Sequence, residues 1–353
     1  MKILVLLSLI LSFGCSSSQD FIYGHSGDYV AVIEWKDNKL TEVQKLPGAK
    51  ISGAIGYSPK HNTLYASTGR YPTDGKPNGR IFSIENDGKI SLKQEYAFPH
   101  GYAYFAIDKT NQFLIGASYS SGYNDVFRLD SKGIPTKTHT VYEGKNTAHA
   151  VLISPDNKYV YIPYVKQHNS LHQYSLDSIN GTLKALNPAK AEVHPVSGPR
   201  HLAQHPGKPF VYSSNEQGIG VSVYKMNNGG TLDFKQNCPA NDSKPGPGKS
   251  ASSLVVTQDG KYVFSAQRGR DAKENFIHTY KVLDNGTLKP FGKTPCDHIP
   301  WIIQLSSDGS HLFVSASKSG TLTAYKIEAG GKLSKGSHIN WGINFKDMVV
   351  VPK

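Results

Sequence analysis

A chain of 353 residues with 34 Gly, 20 Pro, 20 Tyr and only 3 Met is rich in turn and strand formers. No stretch sustains helical apolar spacing over three turns, which excludes an α-rich fold and predicts almost no helix. The formal charge of +12 is spread through turns and strands without a basic block or nucleic-acid motif, so no nucleic-acid partner is expected and the cationic surface can attract anions.

The chain opens on "MKILVLLSLILSFGC": one lysine, a mostly apolar run, then Gly14 and Cys15. The run is too short to span a bilayer as a mature helix and reads as an export signal over residues 1–14. Gly14-Cys15 followed by "SSSQ" has the form of a bacterial lipoprotein site. Cys15 is therefore expected to be the first mature residue, lipid-modified and anchoring the protein to the membrane of the cell envelope. Cys238 and Cys296 both fall in connectors; export permits a disulfide between them, but two unpaired thiols are the preferred reading.

From residue 20 the pattern is strand and turn. "FIYGHSGDYVAVIEWKDNKLTEVQ" supplies three strands, with Trp35 read as a core or blade-edge residue. A turn followed by an aromatic-rich strand then recurs at 58, 108, 154, 205, 257 and 306, at intervals of 50, 46, 51, 52 and 49. Such a period signals a repeat array. One unit reads strand ("AVLIS"), turn ("PDN"), strand ("KYVYIPY"), strand ("SLHQYSL"), turn ("NGT"), strand ("LKAL"). "NGT" at 180 and 285 and "GGT" at 229 predict two-residue hairpins with positive φ. The C-terminal "INFKDMVVVPK" supplies a lone first strand, after Trp341, which is also read as a core or blade-edge residue. The predicted fold is all-β: a seven-bladed β-propeller over residues 20–353, four antiparallel strands per blade, the last blade closed by the N- and C-terminal strands.

In such a ring the first strand of each blade lines the channel and the second runs back beside it, so the start of one and the end of the other meet at one face. Five positions before each turn stand Gly53, Ala103, His149, Arg200, Ser252 and Trp301; eleven or twelve after it stand Gly69, Arg70, Tyr119, Lys166, Glu216, Arg268 and Lys318. These are expected at one channel mouth. Two arginines, a histidine and a carboxylate there suit an anionic substrate that undergoes proton transfer. The competing role is a solvated rim ion pair, worth about 0–1 kcal/mol. Lys166 and His201 are candidate substrate or phosphate contacts, and Trp301 is read first as a packed aromatic rather than a sugar-stacking one.

The segments "NTAHAVLISPDNKYVYIPYVKQ", "GPRHLAQHP", "VYSSNE" and "GKYVFSAQRGRD", between residues 146 and 271, resemble the seven-bladed propeller lactonase family of 6-phosphogluconolactonases and carboxymuconate cyclases. The resemblance implies an active centre at His149, Arg200, Glu216 and Arg268. Arg270 stands where many members carry histidine, which adds a cation. It further implies a hydrolase that opens a sugar lactone, 6-phosphogluconolactone-like and anionic, although an exported protein would meet little of that cytoplasmic sugar phosphate. In the expected mechanism Glu216 or His149, with His149 preferred, is general base for water, while Arg200 and Arg268 hold the anionic group and steady the oxyanion. A carboxymuconate-type cyclase running toward ring closure and a non-catalytic envelope propeller binding carbohydrate or protein are the alternatives.

No cofactor or metal is implied. G-x-S-x-G, H-E-x-x-H and cysteine clusters are missing. "PGPGKS" at 245–250 has Ser243 where a phosphate loop needs its first glycine, and a strand follows. His201 and His205 of "HLAQH" would lie about 13 Å apart on a strand, too far to share a metal.

Overall fold

The computed structural model describes residues 19–26, 29–47, 53–67, 77–240 and 242–353. They form seven antiparallel sheets of four strands arranged as a β-propeller. Blades 1 to 6 follow chain order and occupy residues 55–96, 104–142, 152–191, 199–239, 249–295 and 300–340. In blade 7 the C-terminal strand Asp347–Pro352 pairs with Asp20–His25, followed by Tyr29–Lys36 and Lys39–Pro47. The ring thus closes through strands from both ends, as expected. Helix is confined to two short 3₁₀ turns among the described residues, Lys166–His168 and Ala272–Glu274. No helix among them is long and apolar enough to cross a membrane.

Blades pack face to face, so second strands are covered on both sides while fourth strands meet solvent. Phe113–Ala117, Phe210–Asn215 and His311–Ala316 are buried at every position, whereas Ile90–Tyr96 is exposed along most of its length. Of the two roles read from the sequence for Trp35 and Trp341, core or blade edge, both take the core. The tyrosine-rich composition has a structural use. Tyr23, Tyr65, Tyr161 and Tyr212 on second strands donate to the carbonyls of Gly88, Gly133, Gly230 and Gly286 in the turn of the next blade, at 2.8, 2.8, 2.6 and 3.0 Å. These turns are longer than the two-residue hairpins predicted. At the "GGT" turn Asn227 N donates to Thr231 O, Gly230 N donates back to Asn227 O, and Gly230 holds φ +82°. An added Cβ there would come within 2.2 Å of the Tyr159 ring, so the blade contact demands glycine.

Two backbone devices position the channel mouth. In blades 3, 4, 6 and 7 a left-handed residue stands two places before a mouth residue: Thr147 (φ +77°) before His149, Gly198 (+62°) before Arg200, Ile299 (+63°) before Trp301 and Asn344 (+65°) before Lys346. Thr147 and Ile299 are β-branched, and held strain of this kind concentrates at functional sites. The first strands also bulge, with register shifts between Pro199 and Leu202, Ala251 and Leu254, and Pro300 and Ile302. Regular alternation would send Arg200 and His201 to opposite faces; the bulge lets both line the channel.

Candidate active site

The mouth holds a cavity of about 260 Å³. Its charged wall is built by blades 3 to 6. Arg200 (0% exposed), Arg268 (8%) and Glu216 (9%) are buried together. Glu216 Oε2 lies 3.0 Å from Arg200 Nε and 3.5 Å from Arg268 Nη2, so one carboxylate bridges two guanidiniums. Arg268 Nη2 also donates to Ala251 O at 3.0 Å. The Arg200–Glu216 contact is ionic rather than a linear hydrogen bond, and Arg200 Nη1 and Nη2 have no hydrogen-bond partner among the described residues. A buried donor left unmatched is costly, so an acceptor that reached either group would be favoured.

Trp301 carries the cations on its ring. The Arg268 and Arg200 guanidinium carbons lie 4.5 and 5.5 Å from its centroid and Lys346 Nζ lies at 5.3 Å. The aromatic therefore lines the mouth instead of being packed away. Lys166 Nζ sits 5.4 Å over Tyr119 on the facing rim. Below, the rings of Tyr119, His149, His201 and Tyr104 meet edge to face at 5.5, 5.4 and 5.4 Å, forming a column down the channel wall.

Burial and surplus positive charge set the protonation states. Burial pushes His149 and His201 well below the ordinary imidazole range, and Arg200 adds to the effect, so both rings are neutral at pH 7. Burial likewise pulls Arg200 down to about 9, with Arg268 next in weight, and Arg200 stays charged at neutral pH. On the opposite side, burial raises the Asp347 carboxyl to about 7.

All six residues named from the sequence as catalytic or substrate-binding, His149, Glu216, Arg200, Arg268, Lys166 and His201, line this one cavity, with Gly53, Ala103 and Tyr119 beside them. Two expectations fail. Ser252 is buried, its hydroxyl donating to Pro300 O at 2.6 Å, and because the strand Lys249–Val256 reaches two residues higher than its counterparts, Ser250 takes the mouth position. Lys318 is exposed and absent from the lining, its amide bonded to His298 O. Cys15, residues 1–14, Gly69 and Arg70 lie outside the described residues. His205 sits in the turn, its Nδ1 accepting from Gly207 N and Lys208 N, and is no partner for His201. Cys238 and Cys296 are unpaired. Sequence reasoning missed Lys346 and Asp347, which also line the cavity. Counting backward from a turn cannot reach them, because the strand Asp347–Pro352 ends near the chain terminus; aligning "FKDMVV" with "PRHLAQ" would have placed Lys346 with Arg200 and Asp347 with His201.

The comparisons agree with this architecture. The chain belongs to the lactonase family of seven-bladed β-propellers, whose profile matches residues 14–341. A 6-phosphogluconolactonase of Cronobacter sakazakii is 29% identical over 294 residues, covering 82% of this chain and 84% of the relative. The 6-phosphogluconolactonase of an Enterobacter species is 25% identical over 317 residues, covering 87% and 91%. A periplasmic gluconolactonase from Pseudomonas aeruginosa has the same fold, with a TM-score of 0.82 at 18% identity, over 95% of this chain and 99% of that one.

Proposed function

We propose that the protein hydrolyses a sugar lactone bearing an anionic group, of the 6-phosphogluconolactone type, without metal assistance. The observation that carries this reading is the pair of buried guanidiniums bridged by Glu216, with the Nη atoms of Arg200 unpartnered among the described residues and a neutral histidine on the same wall.

The substrate's anionic group and the carbonyl oxygen that becomes the oxyanion are held by Arg200 and Arg268, with Lys166 and His201 as further contacts. A forked guanidinium meets both groups in a fixed orientation. A neutral His149 accepts a proton from water as that water attacks the carbonyl carbon. Its ring is partly accessible, and its buried Nδ1 makes no hydrogen bond among the described residues. Glu216 keeps the two cations apart and oriented, a role its ion pairs favour over that of base.

We further propose export to the cell envelope through residues 1–14 and lipidation at Cys15. The unphosphorylated aldonolactones an envelope enzyme would meet belong in the same assay as the phosphorylated ones. Fractionated cells and purified protein should both be tested for ring opening of these lactones. Expected are activity in the envelope fraction and a turnover loss of roughly 10²- to 10⁴-fold in His149→Ala with unchanged folding. Full turnover in both His149→Ala and Glu216→Ala would end the scheme, and a wild-type protein that binds a lactone without opening it would be a carbohydrate-binding propeller instead.

A further inference from the structure

Lactone opening requires two proton movements. Water loses a proton as it attacks, and the ring oxygen must gain one when the acyl carbon–oxygen bond breaks and the electron pair stays on that oxygen. His149 answers the first need. The second calls for a donor on another wall of the same cavity.

Asp347 stands on that wall. It begins the first strand of blade 7, lines the cavity and is buried. Each of its oxygens takes one backbone N–H: Oδ2 from Ile55 of blade 1 and Oδ1 from Met348, both at 3.0 Å. Two bonds fix the carboxyl plane without using all its acceptor positions or the place of a proton. We propose that Asp347 is a catalytic acid of this site, giving its carboxyl proton to the ring oxygen that leaves as the lactone opens. The inference rests on the lactonase reading.

The surroundings favour a protonated carboxyl. Burial raises it to about 7, and the two backbone N–H groups and the Arg200 guanidinium only partly oppose this. The groups facing it are Arg200 from blade 4, Tyr104 from blade 2, His25 across the strand ladder and Lys346 on its own strand. Tyr104 is itself raised by burial, so it stays neutral. The cavity therefore pairs a histidine pushed toward its neutral form with a carboxyl pushed toward its neutral form. Environments that separate two groups in this way assign one as base and the other as acid. After ring opening the Asp347 carboxylate regains a proton from water and the histidinium releases one, so the cycle balances as lactone plus water giving hydroxy acid.

The test combines kinetics with a direct titration. Turnover of the lactone that the wild type opens best is measured against pH, after subtraction of spontaneous hydrolysis, in the wild type, Asp347→Asn and Asp347→Ser. The wild type should lose activity as pH rises through about 7. Both variants should turn over roughly 10²-fold more slowly and lack that falling limb. A merely structural role at the seam between blades 7 and 1 would lower thermal stability but leave the limb in place. Carbon-13 NMR of labelled aspartates in the wild type covers the case of variants that fail to fold, and should show a carboxyl titrating between about pH 6 and 8. An active wild type whose variants keep the limb, or no aspartate titrating in that window, overturns the role of Asp347 and leaves the hydrolase reading standing. A wild type silent toward every lactone removes both.

Discussion

The two halves of the channel mouth are built differently from one repeat. Blades 4 to 6 have bulged first strands, and blades 3 to 6 present His149, Arg200, Glu216, Arg268 and Trp301. Blades 1 and 2 have regular first strands, Ile55–Ser58 and Tyr104–Ile107, with unbroken register, and bring Gly53 and Ala103 to the same rim. The difference shows how a near-symmetric ring acquires a direction. One side concentrates buried charge that must be matched, and the other supplies room. Under the proposed function, a sugar ring sits against blades 1 and 2 with its reacting carbonyl and anionic group turned toward the guanidiniums. Blade 7 lies between the two halves and brings both Lys346 and the proposed acid Asp347 to the cavity.

Substitutions on each side should separate these contributions. On the charged side, Arg200→Ala removes the cation with unpartnered Nη groups and should lower turnover by about 10²- to 10³-fold, the usual loss for a donor to a developing oxyanion. Arg200→Lys restores charge but not the fork and should recover only part of that loss. Equal turnover in wild type and Arg200→Ala would mean that the charged half is structural. On the open side, Ala103→Leu should raise KM for a six-carbon lactone on the order of tenfold, with a smaller change in kcat, because it fills space without touching the reacting groups. A fall in kcat alone would place the sugar elsewhere.

Much of this was legible in the sequence because a repeat multiplies weak signals. Six turns at near-constant spacing gave blade number, and complementary strand sets at the two ends gave closure. Five of the six candidate site residues, His149, Lys166, Arg200, Glu216 and Arg268, reach one cavity at positions that follow from strand order. What escaped depends on local backbone geometry. Ser252 was placed at the mouth but lies two residues below it, since strand length beyond the repeat is set by packing rather than by turn spacing. The bulge that turns Arg200 and His201 to the same side has no mark in "GPRHLA" beyond the glycine. Asp347 was hidden because the strand that bears it has its partner at the other end of the chain. The wrongly placed Lys318 shows the opposite error: a rim position by count, but with its side chain in solvent.

The most direct measurement is a structure of the protein with a sugar acid product bound. The product carboxylate should lie between Arg200 and Arg268 within hydrogen-bond distance of the Arg200 Nη atoms, the sugar body against Gly53 and Ala103, and the hydroxyl released from the ring facing Asp347. A product seated on the outer blade edges or at the far end of the channel, leaving those guanidiniums unoccupied, would contradict the assignment of chemistry to this mouth.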